Sequence, residues 1–166
     1  MKKWIYILAT MFFVTTGIGI SYYYYVIQDH REEQNKAIAA AKKEYGFNNV
    51  QDIEHYYGSY GSYQVIQTNI DQEKMYVFVP VKKGEERTIN ADEGWNKTKV
   101  KQYVTEELHP EKLISIHLGL EKYTTSSNFT PVWEIVYKED DDTYTFHYIR
   151  FSDGSLFKEY RMNQTS

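Results

Sequence analysis

Five histidines, short acidic runs and one tyrosine-dense segment are the side chains in this sequence with chemistry to offer. His30, His55, His109, His117 and His147 are scattered, with no i,i+4 pair to set two imidazoles on one helix face. His117 and His147 fall in strand-like runs and could meet across a sheet. Two ligands would still fall short of the three or four that a zinc site needs. The run Glu139 to Asp142 lacks the alternating spacing and the glycine of an EF-hand loop, so it reads as a solvated hairpin turn. Glu85-Glu86 and Glu106-Glu107 read as solvated faces, because nothing places a partner carboxylate beside either. There is no H-E-x-x-H, no G-x-S-x-G and no phosphate-cradling glycine loop. With no cysteine the chain has no thiolate nucleophile, no disulfide, no cysteine-ligated metal and no lipoprotein anchor. The sequence therefore predicts a non-enzyme, with no catalytic residue, no cofactor site and no metal site.

What remains is Tyr56-Tyr57-Gly58-Ser59-Tyr60-Gly61-Ser62-Tyr63. Tyrosine and tryptophan supply rigid, amphipathic contact area with few rotors, which suits recognition of a protein or a glycan. Tyr56, Tyr57, Tyr60 and Trp133 are the candidate interaction surface. The plainer reading is a hairpin whose tyrosines cap the core.

The elements that must position these residues begin with a charge-free run from Trp4 to Ile27, preceded by Lys2 and Lys3 and followed by Asp29, Glu32 and Glu33. At a helical rise the run spans about 36 Å, enough for a hydrocarbon core of about 30 Å. Trp4, Tyr6 and Tyr22–Tyr25 sit where interfacial aromatics belong, and the lysines place the N-terminus inside. A cleaved signal peptide would have a shorter apolar core, about 7–15 residues. The expectation is a retained single-pass transmembrane helix with the body extracytoplasmic. Setting Lys2 and Lys3 apart leaves 17 basic against 23 acidic side chains, so the −4 of the 166-residue chain becomes −6 for the body. That balance argues against nucleic acid, whose binding needs clustered Lys and Arg.

Beyond the run, residues 29–45 read as a helix, either starting at a capping box of Asp29 and Glu32 or continuing from the run before it, with Gly46 as its stop. Strand-like runs follow at Val50–Tyr57, Ser62–Ile70, Lys74–Lys82 and Arg87–Ile89. In the third, Met75, Val77, Val79 and Val81 share one face, and Pro80 suggests a sheet edge. The pattern then restarts with a helix over 97–108, capped by Asn96 and stapled by Trp95 and Val100. Strands follow around Ile114–Leu120, at Val132–Lys138, Thr143–Phe151 and Ser155–Met162. Helix and antiparallel strands thus occur twice, an α+β duplication. The expected divisions are 1–28 for the N-terminal start and transmembrane helix, 29–91 for the first unit and 92–166 for the second.

Several segments carry a family likeness: Asp52-Ile53-Glu54-His55-Tyr56-Tyr57-Gly58, Ser62-Tyr63-Gln64-Val65, Val77-Phe78-Val79-Pro80, Ile114-Ser115-Ile116-His117-Leu118-Gly119-Leu120, Pro131-Val132-Trp133-Glu134-Ile135 and Phe151-Ser152-Asp153-Gly154. In their order the chain resembles the membrane-anchored cell-wall elongation regulators of Gram-positive Firmicutes, with tandem PepSY-like, cystatin-like domains. It departs from them at Asn96 and Lys99, where that family tends to show Ser and an acidic residue. The resemblance implies a non-enzymatic extracytoplasmic protein whose partner is a class B penicillin-binding transpeptidase. The PepSY and cystatin likeness also admits a peptidase inhibitor or chaperone-like module, and the tyrosine segment a peptidoglycan binder.

Overall fold

The computed structural model describes residues 2–82, 84–122, 128–139 and 143–163. The chain divides into a first unit, residues 1–36, and a second, residues 37–166. Helix α1 runs from Lys2 to Tyr45 without interruption. The capping box expected at Asp29 is therefore not a helix start. No glycine or proline falls between Ser21 and Tyr45, so nothing in the sequence breaks the helix there. In the first unit Phe12, Phe13, Ile18 and Tyr22–Tyr25 are all exposed. Among the described residues no helix is long and apolar enough to cross a membrane. Thr15, Thr16, Gly17, Gly19 and the four tyrosines dilute the apolar residues of this stretch. Gly46 ends α1 as expected, its N–H donating to the Lys42 carbonyl at 3.0 Å from a left-handed conformation.

The second unit is α+β. Its first antiparallel sheet takes β1 (Val50–Gly58), β2 (Gly61–Ile70), β3 (Glu73–Pro80) and β4 (Arg87–Asn90), in that order. Helix α2 (Lys97–Tyr103) continues as a π-helical turn, Val104–Leu108, that closes at left-handed His109. The second sheet takes β5 (Lys112–Glu121), β6 (Thr130–Lys138), β7 (Thr143–Arg150) and β8 (Leu156–Asn163). Asn96 caps α2, accepting from the Lys99 N–H at 2.9 Å, and Trp95 packs with Val100 in one core. Pro80 lies beyond the last β3–β4 pair, Phe78 with Arg87, so its missing N–H leaves no gap in the β3–β4 ladder.

Strand β3 departs from the single buried face that alternation suggested. Val77 and Val79 pack with Ile66, Ala37, Ala41 and Phe47. On its other face Tyr76 and Phe78 join Val100, Leu118, Trp133 and Ile149 in a core shared by both sheets and α2. The first sheet is a middle layer, and a strand buried on both faces cannot show a polar alternate.

The tail segment Phe151-Ser152-Asp153-Gly154 makes a corner for this core. The Trp95 N–H donates to the Phe151 carbonyl at 2.7 Å. Gly154 has φ +73, and a Cβ there would stand 2.3 Å from the Trp95 ring. Both facts require glycine.

Candidate interaction surface

The tyrosine-dense hairpin is pinned to the second sheet by a fully buried carboxylate. Glu121, at the end of β5, is 0% exposed. Its Oε1 accepts from the Tyr56 hydroxyl at 2.8 Å and from the Ser59 N–H at 2.9 Å. Its Oε2 receives Lys158 Nζ from β8 at 2.8 Å, and the same ammonium donates to Ser59 Oγ at 3.1 Å. Lys158 also lies 4.4 Å from the Tyr148 ring centroid and 5.2 Å from that of Tyr160. A charge withdrawn from water is tolerable only when paired and hydrogen-bonded, and here each carboxylate oxygen has a partner. The Tyr56 ring reaches Glu121 by crossing Gly119, where a Cβ would stand 2.3 Å from it. A glycine inside an alternating strand marks this close approach.

A second set of ties joins β1 to β5 and α2. Glu54 pairs with Lys97 at the start of α2, and His117 Nδ1 stands 3.3 Å from its other oxygen. Burial opposes ionisation of Glu54, but hydrogen bonds from His117 and Lys97 and their charges outweigh it and hold the carboxyl below its ordinary value. Glu134, the β6 neighbour of His117, accepts from the Tyr148 hydroxyl at 2.5 Å. Burial pushes the Glu134 carboxyl up, against the lowering by Tyr148 and His117. The Tyr148 hydroxyl is raised, first by burial and then by its bond to Glu134.

The two shifts act oppositely on stability. Glu54 stabilises the fold above the ordinary carboxylate value of 4.5, and that contribution is lost as pH falls through its lowered value. Ionised Glu134 opposes the fold, and the opposition appears as pH rises from 4.5 through its raised value. Glu134→Gln keeps an acceptor for Tyr148 without the charge. It is expected to be more stable than the parent at pH 7, with the gain vanishing below about pH 4, where both states carry the proton. Denaturant unfolding across pH measures this; a gain that persists unchanged in acid contradicts it.

His117 and His147 do not meet across the sheet. His117 shares the Glu134 face of the second sheet, whereas His147 pairs in register with Ile135 and faces the core side. There His147 Nδ1 is 2.7 Å from Glu159 and Nε2 3.2 Å from the Tyr103 hydroxyl. Strand parity separates them. Glu139 accepts from Thr145 Oγ1 at 2.6 Å; Asp140, Asp141 and Asp142 lie outside the described residues.

Of the four aromatic candidates, Tyr57 is 73% exposed and Tyr60 is 40% exposed, whereas Tyr56 is 1% and Trp133 2% exposed. Tyr56 and Trp133 offer a partner no surface. Trp133 donates from Nε1 to the Trp95 carbonyl at 2.8 Å and sits inside the shared core. Tyr57 stacks on His55 with ring centroids 3.9 Å apart. Sequence reasoning missed Glu121, Lys158 and Gly119. Only Gly119, a glycine in an alternating strand, left a readable sign.

No family model matches the chain. It is 26% identical over 153 residues to the probable cell wall elongation regulator TseB of Bacillus subtilis (strain 168), covering 92% of this chain and 91% of that protein. It is also similar to the solved structure of the YpmB protein from Bacillus subtilis, with a TM-score of 0.64 and 25% identity. That likeness covers 77% of this chain and 96% of the solved one.

Proposed function

We propose that this protein is a non-enzymatic regulator of cell-wall elongation, held outside the membrane by residues 4–27 and acting through contact with a class B penicillin-binding transpeptidase. The observation that carries the reading is the similarity to a probable cell wall elongation regulator across nine-tenths of both chains. Anchoring is supported by the charge-free run between Lys3 and Asp29, with the two lysines ahead of it. In this reading residues 29–91 and 92–166 are tandem PepSY-like domains, a division supported by the order of helix and four-stranded antiparallel sheet in each stretch. Contact at the hairpin is supported by Tyr57 and Tyr60, exposed rings on a turn whose backbone Glu121 holds. Such pre-ordering spares a binding surface part of the entropy that docking otherwise removes.

Affinity purification of the full chain from detergent-solubilised membranes tests the proposal. The wild type is expected to retain the transpeptidase. Tyr57→Ala with Tyr60→Ala is expected to retain at least about tenfold less, the size of effect that losing aromatic hot spots produces. Failure of the wild type to retain any wall synthase sinks the function; equal retention by the double variant removes the hairpin as its surface.

A further inference from the structure

Four segments meet beside the hairpin and bring two cations to one aromatic ring. The Arg87 guanidinium, at the start of β4, lies 5.1 Å from the Phe129 centroid, and Lys122 Nζ, just past β5, lies 5.6 Å from it. Lys122 also stands 4.6 Å from the Tyr60 ring centroid, and Tyr63 meets Phe129 edge-on at 6.4 Å. Arg87 lies 3.4 Å from the Glu85 carboxylate, and that side chain is 87% exposed. Among the described residues no carboxylate stands within ion-pair distance of Lys122. Ring contacts restrict where both charges sit without neutralising them.

We propose that this cation–aromatic cluster docks a carboxylate-rich stretch of the partner protein; the inference rests on the contact reading above and names the chemistry of the contact. Charge complementarity is the argument. The body carries a net −6, so an acidic segment is repelled by most of the surface and drawn to this corner. Two charges against one ring are at most about 11 Å apart, within reach of carboxylates two or three residues apart on an extended chain. A neutral sugar fits less well, because the Tyr60 and Phe129 rings already engage cations where a sugar would stack.

The test uses the full chain in detergent with three probes: a hexaglutamate peptide, a hexaglutamine peptide and isolated peptidoglycan. Hexaglutamate is expected to bind saturably and hexaglutamine not, with affinity falling as salt rises from 50 to 500 mM, the mark of screened charges (a Debye length of about 14 Å falling to about 4 Å). Lys122→Glu with Arg87→Glu should weaken binding at least about tenfold, while Lys122→Arg keeps it. Circular dichroism confirms that each variant is folded. Equal binding by the charge-reversed protein, or no binding of hexaglutamate, overturns the proposal. Binding of peptidoglycan alone overturns it in favour of the wall. If the charge-reversed chain co-purifies the transpeptidase as well as wild type, the docking site fails and the function stands. If hexaglutamate binds as described while no synthase is retained, the site stands and the function fails.

Discussion

Glu121→Ala is expected to remove about 3–5 kcal/mol of folding free energy, because it strands an ammonium and a phenol that were buried for that carboxylate. Lys158 has a side chain only 15% exposed and Tyr56 is 1% exposed, so water cannot replace what is lost. The Ser59 N–H loses its acceptor as well. The interaction is mutual, so Glu121→Ala with Lys158→Met should cost less than the two single changes added together. Denaturant unfolding followed by tryptophan fluorescence reads all three proteins. Simple additivity would mean that the pair does not act as a unit. The hairpin also loses its pin, so Glu121→Ala is expected to weaken partner capture even where the protein is still folded.

Trp133→Ala is the second large effect, at about 3–5 kcal/mol, the range for deleting a buried tryptophan from a core. The indole lies between Leu118 on β5 and Ile149 on β7 in register and meets the Tyr76 ring edge-on at 6.5 Å. Its removal opens a cavity where both sheets and α2 meet, and leaves the Trp95 carbonyl without the indole donor. For a unit of this size the melting temperature should fall by about 10–20 °C. Trp133→Phe fills most of the space and should cost less, separating packing from the hydrogen bond. Loss of partner binding in Trp133→Ala would therefore report unfolding. A change in melting temperature below about 2 °C would show that the indole is not the core residue its burial describes.

The contrast between Tyr56 and Tyr57 shows where sequence reading stopped. They are neighbours of one type, yet one is buried against Gly119 and the other is mostly in water. Strand parity says that they face opposite sides, but which side is covered depends on what packs there. Trp133 fails for the same reason. Nothing in Pro131-Val132-Trp133-Glu134-Ile135 says that the face bearing Trp133 meets a second sheet. The Glu121–Lys158 pair spans 37 positions and the Tyr56–Glu121 bond 65, so neither leaves a local pattern.

Local determinants, by contrast, were legible because their physics is local. Asn96 is the cap of α2 because its side chain reaches an N–H three residues on. Gly46 stops α1 because its backbone adopts a left-handed conformation that other residues resist. The strands of the described residues and their hairpin breaks follow from strand-like runs and turn residues, and so does the repeated order of helix and antiparallel strands. The opposite case is Asp29, where a sound capping pattern lies inside a continuous helix. A cap signal permits a start but does not require one when the chain before it is already helical. By itself the sequence determined the strands, their order and an α+β class in which helix and antiparallel strands alternate. Tertiary structure alone decided that the first sheet is a middle layer, which tyrosines stay exposed and which carboxylate is sealed beneath them. Those outcomes turn on burial, and burial belongs to contacts between residues far apart in the chain.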